Sequence, residues 1–192
     1  MPLIAQLKNK KIYIFALVIL TMLLTRGSHL LTSVSLPDAS FALFFISAIL
    51  LKQPKWFILL FGFSTLVDVI TLSLNSSYQI SINFSYLGLL PSYGIMWLAG
   101  VWLNKQSNGL EAVKFSLAAL VSTLVAFVIS TQTYYLFSGR FPNHGLVETM
   151  QYGWNYLPSY LAYTAMYLVG FWALAKASSK LNFIKFPTSH TA

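Results

Sequence analysis

An all-α integral membrane protein built as a six-helix bundle is the fold class this sequence predicts, and three observations lead to it. The 192 residues are 57% hydrophobic and only 8% charged, where a soluble domain carries roughly 25% charged residues. The mean hydropathy is +0.68. Apolar runs recur along the whole chain, several of them reaching the ~20 residues a bilayer-spanning helix needs. Little sequence is left over for a second domain, so residues 1–192 are read as one membrane domain.

Punctuation by Pro, Gly, Asn and charge places the spans at about 11–26, 38–52, 56–73, 85–103, 113–137 and 155–176. The first follows Lys8, Lys10 and Lys11, a signal-peptide-like beginning, but no small-x-small cleavage site follows IYIFALVILTMLL. It is therefore expected to be a retained helix. The second is short and is expected to open at Pro37, with Asp38 in its first turn at the positive end of the helix dipole. The fourth contains Pro91 and Gly94, where a kink is expected. Repeats, low-complexity tracts and heptads are absent from the sequence.

Orientation follows from the basic residues, because cytoplasmic loops collect Lys and Arg. With the N-terminus inside, all ten lysines, among them Lys52, Lys55, Lys105, Lys114 and Lys176, fall on the cytoplasmic side, and only Arg26 and Arg140 fall outside. Both termini are thus expected in the cytoplasm of a bacterial inner membrane. The formal charge of +8 is accounted for by this asymmetry. Since the basic residues form no basic face, a nucleic-acid partner is not expected.

This topology gathers the polar chemistry outside. Arg26, His29 and Asp38 belong to the first outer loop, Asn75 to Asn83 to the second, and Arg140, Asn143, His144 and Glu148 to the third. Asp68, near the outer end of the third span, is expected to turn inward or to be paired, since an acid facing lipid is costly. Arg26 with Asp38 or Asp68, and Arg140 with Glu148, are either ion pairs holding the outer loops or contacts to a polar substrate. His29 and His144 are either imidazole ligands or ordinary interfacial residues. Aromatic side chains crowd the outer side: Tyr78, Phe84, Tyr86 and Tyr93, then Tyr134, Tyr135, Phe137, Phe141, Tyr152, Trp154, Tyr156 and Tyr160. An interfacial belt and a ligand pocket both fit that pattern.

Catalysis is not expected. The chain has no cysteine, which removes thiolate metal sites and cysteine nucleophiles. It has no HExxH and no GxSxG, and its four acids, Asp38, Asp68, Glu111 and Glu148, show no spacing typical of acid–base work. No intrinsic cofactor or protein-bound metal is expected.

The stretches RGSHLLTSVSLPDASFALFF at 26–45, FSTLVDV at 63–69 and YLGLLPSYGIMWLAGVW at 86–102 resemble the small cobalamin-uptake proteins of the BtuM type. These are similar to the substrate-binding S components of energy-coupling-factor transporters. The distinctive motifs cover about the first hundred residues, and the remainder agrees in topology and length. The resemblance implies a six-helix S-component-like bundle with both termini in the cytoplasm, and a vitamin, cobalamin or a related corrinoid, held near the outer face under gating loops. Arg26, His29, Asp38, Asp68, Ser81, Tyr86, Tyr93 and His144 are the candidate substrate-binding residues on this reading. The stretch at 26–40 becomes the first gating loop and the start of helix two.

Two departures accompany the resemblance. Members of that family carry a cysteine that coordinates the corrinoid cobalt and takes part in removing its upper ligand, and Ser81 stands at the matching position here. A serine hydroxyl is a poor cobalt ligand. Either His29 or His144 contacts cobalt in its place, or the ligand is held by shape and edge hydrogen bonds, or it is a different molecule. S components that dock on an energy-coupling module often show small residues spaced by four on helix one, whereas this run has Ala16 but no small residue at 12 or 20. The uptake protein therefore works either with such a module or alone. The alternative function is a six-helix structural or assembly factor resembling the rod-shape membrane proteins.

Overall fold

The computed structural model describes residues 2–26, 36–74, 83–106, 111–141 and 145–180. His29, Ser81 and His144 lie outside them. The described residues form seven α-helices and two 3-10 turns and contain no strand. The helices are α1 (Pro2–Arg26), α2 (Ser40–Leu51), α3 (Pro54–Leu74), α4 (Leu89–Lys105), α5 (Ala112–Phe137), the one-turn α6 (Leu146–Thr149) and α7 (Leu157–Lys180). A 3-10 turn, Phe84–Gly88, leads into α4, and another, Trp154–Tyr156, leads into α7. Each of the six expected apolar stretches thus falls on a helix. Three segments, Pro54–Leu74, Phe84–Lys105 and Ala112–Phe137, are long and apolar enough to cross a membrane. α1 and α7 match them in length but carry lysines, Lys8, Lys10 and Lys11 in one and Lys176 and Lys180 in the other.

Apolar side chains cover the outside of the bundle as well as its core. On α3 the buried positions are Leu60, Ser64, Val67, Asp68 and Thr71, one face at helical spacing, whereas Ile58, Leu59, Leu66, Val69 and Ile70 are exposed. α5 repeats the pattern, burying Ser122, Thr123 and Ala126 and exposing Leu117, Leu120, Val121 and Val125. An apolar surface this extensive suits hydrocarbon and would aggregate in water.

The centre is α2. Eleven of its 12 residues are buried, so it is apolar all round, as a helix enclosed by others must be. At ~1.5 Å per residue it reaches only about 18 Å, short of a ~30 Å hydrocarbon core. α1, α3, α4 and α7 all pack against it. α4 comes closest because Gly100 has no side chain: a Cβ there would lie 2.4 Å from the Phe45 carbonyl oxygen and 2.8 Å from the Ala48 Cβ. One turn on, Asn104 donates to the carbonyls of Ala48 (3.0 Å) and Ile49 (2.9 Å), satisfying acceptors that the end of α2 leaves open.

One local expectation is corrected. α2 opens at Ser40 rather than at Pro37, because the Asp38 carboxylate turns back to accept from the Ser40 backbone N–H (2.9 Å) and so caps the helix from outside it. A 3-10 turn at 84–88 leads directly into α4, which contains both Pro91 and Gly94. Pro91 sits in the first turn of α4, where its missing N–H has no intrahelical partner to lose.

Candidate functional site

The ends of α1, α3 and α5 and the beginnings of α2, α4 and α7 meet at one end of the bundle, and a cavity of about 500 Å³ lies there. Its lining includes Arg26, Asp38, Phe41, Asp68, Tyr93 and Tyr160. Periodicity explains how each helix contributes. Val18, Met22, Thr25 and Arg26 form the buried face of α1, which brings the guanidinium to the inner side. The 3-10 turn and α7 present Tyr156, Ser159, Tyr160, Tyr163 and Thr164 to the cavity, a hydroxyl stripe at helical spacing.

Arg26 organises the site. Its Nε donates to Asp68 Oδ1 (2.8 Å) and its Nη2 to Asp68 Oδ2 (2.7 Å), a bidentate pair with both side chains buried. Its Nη1 donates to Ser40 Oγ (2.8 Å) and to the Tyr93 hydroxyl. Asp68 Oδ2 also accepts from the Tyr86 hydroxyl (2.8 Å), so the buried carboxylate has three donors and no uncompensated charge. Tyr93 is fixed from behind, its ring stacked on Phe44 at 4.3 Å and edge-on to Phe41 at 5.9 Å.

Asp38 stands differently. Its Oδ1 accepts from the Ser40 backbone N–H and from Ser40 Oγ (2.6 Å). Its Oδ2 is 3.7 Å from Arg26 Nη1, and the side chain is 54% exposed. The carboxylate therefore keeps one oxygen available at the cavity. The loop before it is held by Tyr167 on α7, whose hydroxyl donates to the Pro37 carbonyl (2.8 Å).

Of the residues singled out from sequence, Arg26, Asp38, Asp68, Tyr86 and Tyr93 are joined in this one network. Asp68 is paired and turned inward. His29, Ser81 and His144 fall outside the described residues. The aromatic side chains expected on the outer side divide: Tyr93, Tyr156 and Tyr160 line the cavity, while Tyr134, Tyr135, Phe141 and Tyr152 pack on one another with ring centroids 4.7–6.0 Å apart. Sequence reasoning missed Ser40 and the serine and threonine hydroxyls at Ser130, Ser159 and Thr164. The recurrence of hydroxyl side chains at 156, 159, 160, 163 and 164 carried the signal for those on α7. Among the described residues no three His, Cys, Asp or Glu side chains converge as a metal site.

A scan against protein-family models matches no family, and a search of curated proteins returns no match. The functional reading therefore rests on the cavity and on the sequence motifs that build it.

Proposed function

We propose that this chain is a substrate-binding membrane protein that takes up a vitamin, with cobalamin or a related corrinoid as its ligand. In this reading it is a six-span, S-component-like bundle in a bacterial inner membrane, with both termini in the cytoplasm and the cavity opening outward. It acts with an energy-coupling module or alone. The observation that carries the proposal is the cavity itself: the motifs at 26–45, 63–69 and 86–102, far apart in sequence, supply Arg26, Asp38, Asp68 and Tyr93 to one wall of it. Charge asymmetry supports the orientation, since the lysines of α1, α4, α5 and α7 lie toward the opposite helix ends. A whole corrinoid is bulkier than the roughly 500 Å³ available, so the cavity takes an edge of the ligand while the remainder sits outside it.

Binding is tested by incubating the purified, membrane-embedded protein with cobalamin and recording the visible spectrum after removal of free ligand. Retained corrinoid absorbance, together with restored cobalamin-dependent growth in a bacterium lacking its own inner-membrane transporter, is the expected result. A folded, inserted protein that neither retains corrinoid nor restores growth contradicts the proposal. That outcome favours the structural or assembly-factor reading, to which one observation lends weight: the Arg26–Asp68 pair is already satisfied within the protein.

A further inference from the structure

Among the described residues, the donors and acceptors along the cavity wall are not all used. The cavity holds one guanidinium, Arg26, against two carboxylates, Asp38 and Asp68, and the bidentate pairing commits Arg26 to Asp68. Asp38 Oδ2, at 3.7 Å from Nη1, has no hydrogen bond among the described residues. Among the described residues it is an acceptor without a donor, and it carries negative charge. Tyr93 offers the complement. The residue is 2% exposed, its hydroxyl oxygen accepts from the same Nη1, and its own proton has no acceptor among the described residues. A buried hydroxyl proton without a partner is costly, and a ligand acceptor relieves that cost. Arg26 Nη1 donates to the Tyr93 hydroxyl and stands 3.7 Å from Asp38 Oδ2, so this acceptor and this donor flank the same guanidinium nitrogen on one wall.

The chemistry of this pair selects among ligand groups. A carboxylate supplies acceptors only and would add a third negative charge beside two carboxylates and one cation. An ammonium supplies donors only and leaves the Tyr93 proton unmet. A primary carboxamide has an N–H donor for Asp38 and a C=O acceptor for Tyr93, with no net charge to desolvate. Phe41 and Tyr160, in ring contact at 5.7 Å, give the same cavity an apolar wall for the carbon skeleton bearing the amide. We infer that the cavity receives an uncharged primary carboxamide, its N–H donating to Asp38 Oδ2 and its carbonyl accepting from the Tyr93 hydroxyl, and that it discriminates against the corresponding carboxylate. The inference rests on the ligand-binding reading of this cavity and specifies which edge of the ligand enters.

The test compares two probes with one ring system, cobinamide, which carries peripheral amides, and cobyrinic acid, which carries carboxylates at those positions. Equilibrium dialysis against the full-length protein in nanodiscs, read by visible absorbance, gives both affinities. The wild type is expected to prefer cobinamide by about tenfold or more, the scale of a hydrogen bond to a charged group. Asp38→Asn retains a carbonyl oxygen to cap Ser40 while removing the charge, and it is expected to bring the two affinities together. Tyr93→Phe retains the ring stack on Phe44 and is expected to weaken cobinamide binding several-fold, so the inference remains exposed to refutation even if Asp38→Asn does not fold. Equal binding of the two probes by the wild type, or unchanged cobinamide affinity in Tyr93→Phe, overturns the inference and leaves corrinoid uptake standing. Failure of the folded wild type to bind either probe overturns both.

Discussion

Arg26 and Asp68 are the pair on which the site depends, and their energetics separate a structural from a binding role. A buried ion pair seldom stabilises a protein much more than a well-packed apolar replacement, but removing one partner strands the other charge. Asp68→Asn is therefore expected to destabilise the protein by about 3–5 kcal/mol, seen as a lower unfolding temperature in detergent. The double variant Arg26→Met with Asp68→Leu is expected to regain most of that stability and to lose ligand binding. If it retains binding at wild-type affinity, the pair is structural glue alone. Arg26→Lys is expected to fall between, because an ammonium cannot reproduce the fork that reaches both carboxylate oxygens together with Ser40 and Tyr93.

The contact between α2 and α4 positions one wall of the cavity, since Ser40 opens α2, Asp38 lies just before it and α4 carries Tyr93. Gly100→Leu is expected to drive the two helices apart, with a loss of about 1–3 kcal/mol or more, because the atom in the way is the Phe45 backbone carbonyl and cannot rotate aside. Asn104→Leu is expected to cost about 1–3 kcal/mol by leaving the Ala48 and Ile49 carbonyls without their donor. Thermal unfolding of each variant measures both effects. The positions of the helices were legible in sequence because long apolar runs broken by Pro, Gly and charge constrain them strongly. Their starts were less legible. Asp38 near a helix start reads equally well as a first-turn residue or as a cap outside it, and only the hydrogen bond to the Ser40 N–H distinguishes the two. The 3-10 turn before α4, held by Asn83 accepting from the Ser85 N–H (3.0 Å), was not legible because it has no distinctive composition.

The molecule as a whole is a helical assembly with an apolar core, many apolar residues also turned outward, Asp68 and several hydroxyls buried, and a polar cavity at the end opposite most of its lysines. The acids and Arg26 were legible as site residues because ionisable groups are so scarce here: two of the chain's four acids line this cavity. Their partners were not, because serines and threonines also bond back to their own helices, as Thr71 does to the Val67 carbonyl and Ser122 to the Ala118 carbonyl. The proposed orientation makes its own prediction. In intact spheroplasts, cysteine introduced at the exposed Val147 is expected to react with an impermeant thiol reagent, and cysteine introduced at Lys105 is not. The reverse pattern would turn the cavity toward the cytoplasm and remove the basis for uptake from outside.

The most direct test of the central claim, that this cavity binds a corrinoid, is a visible-absorption titration of the nanodisc-embedded protein with cobalamin, alongside the Arg26→Met, Asp68→Leu double variant. Saturable retention of corrinoid by the wild type and its loss in a folded double variant that unfolds well above Asp68→Asn is the predicted result. No retention by the wild type, or equal retention by both proteins, would contradict it.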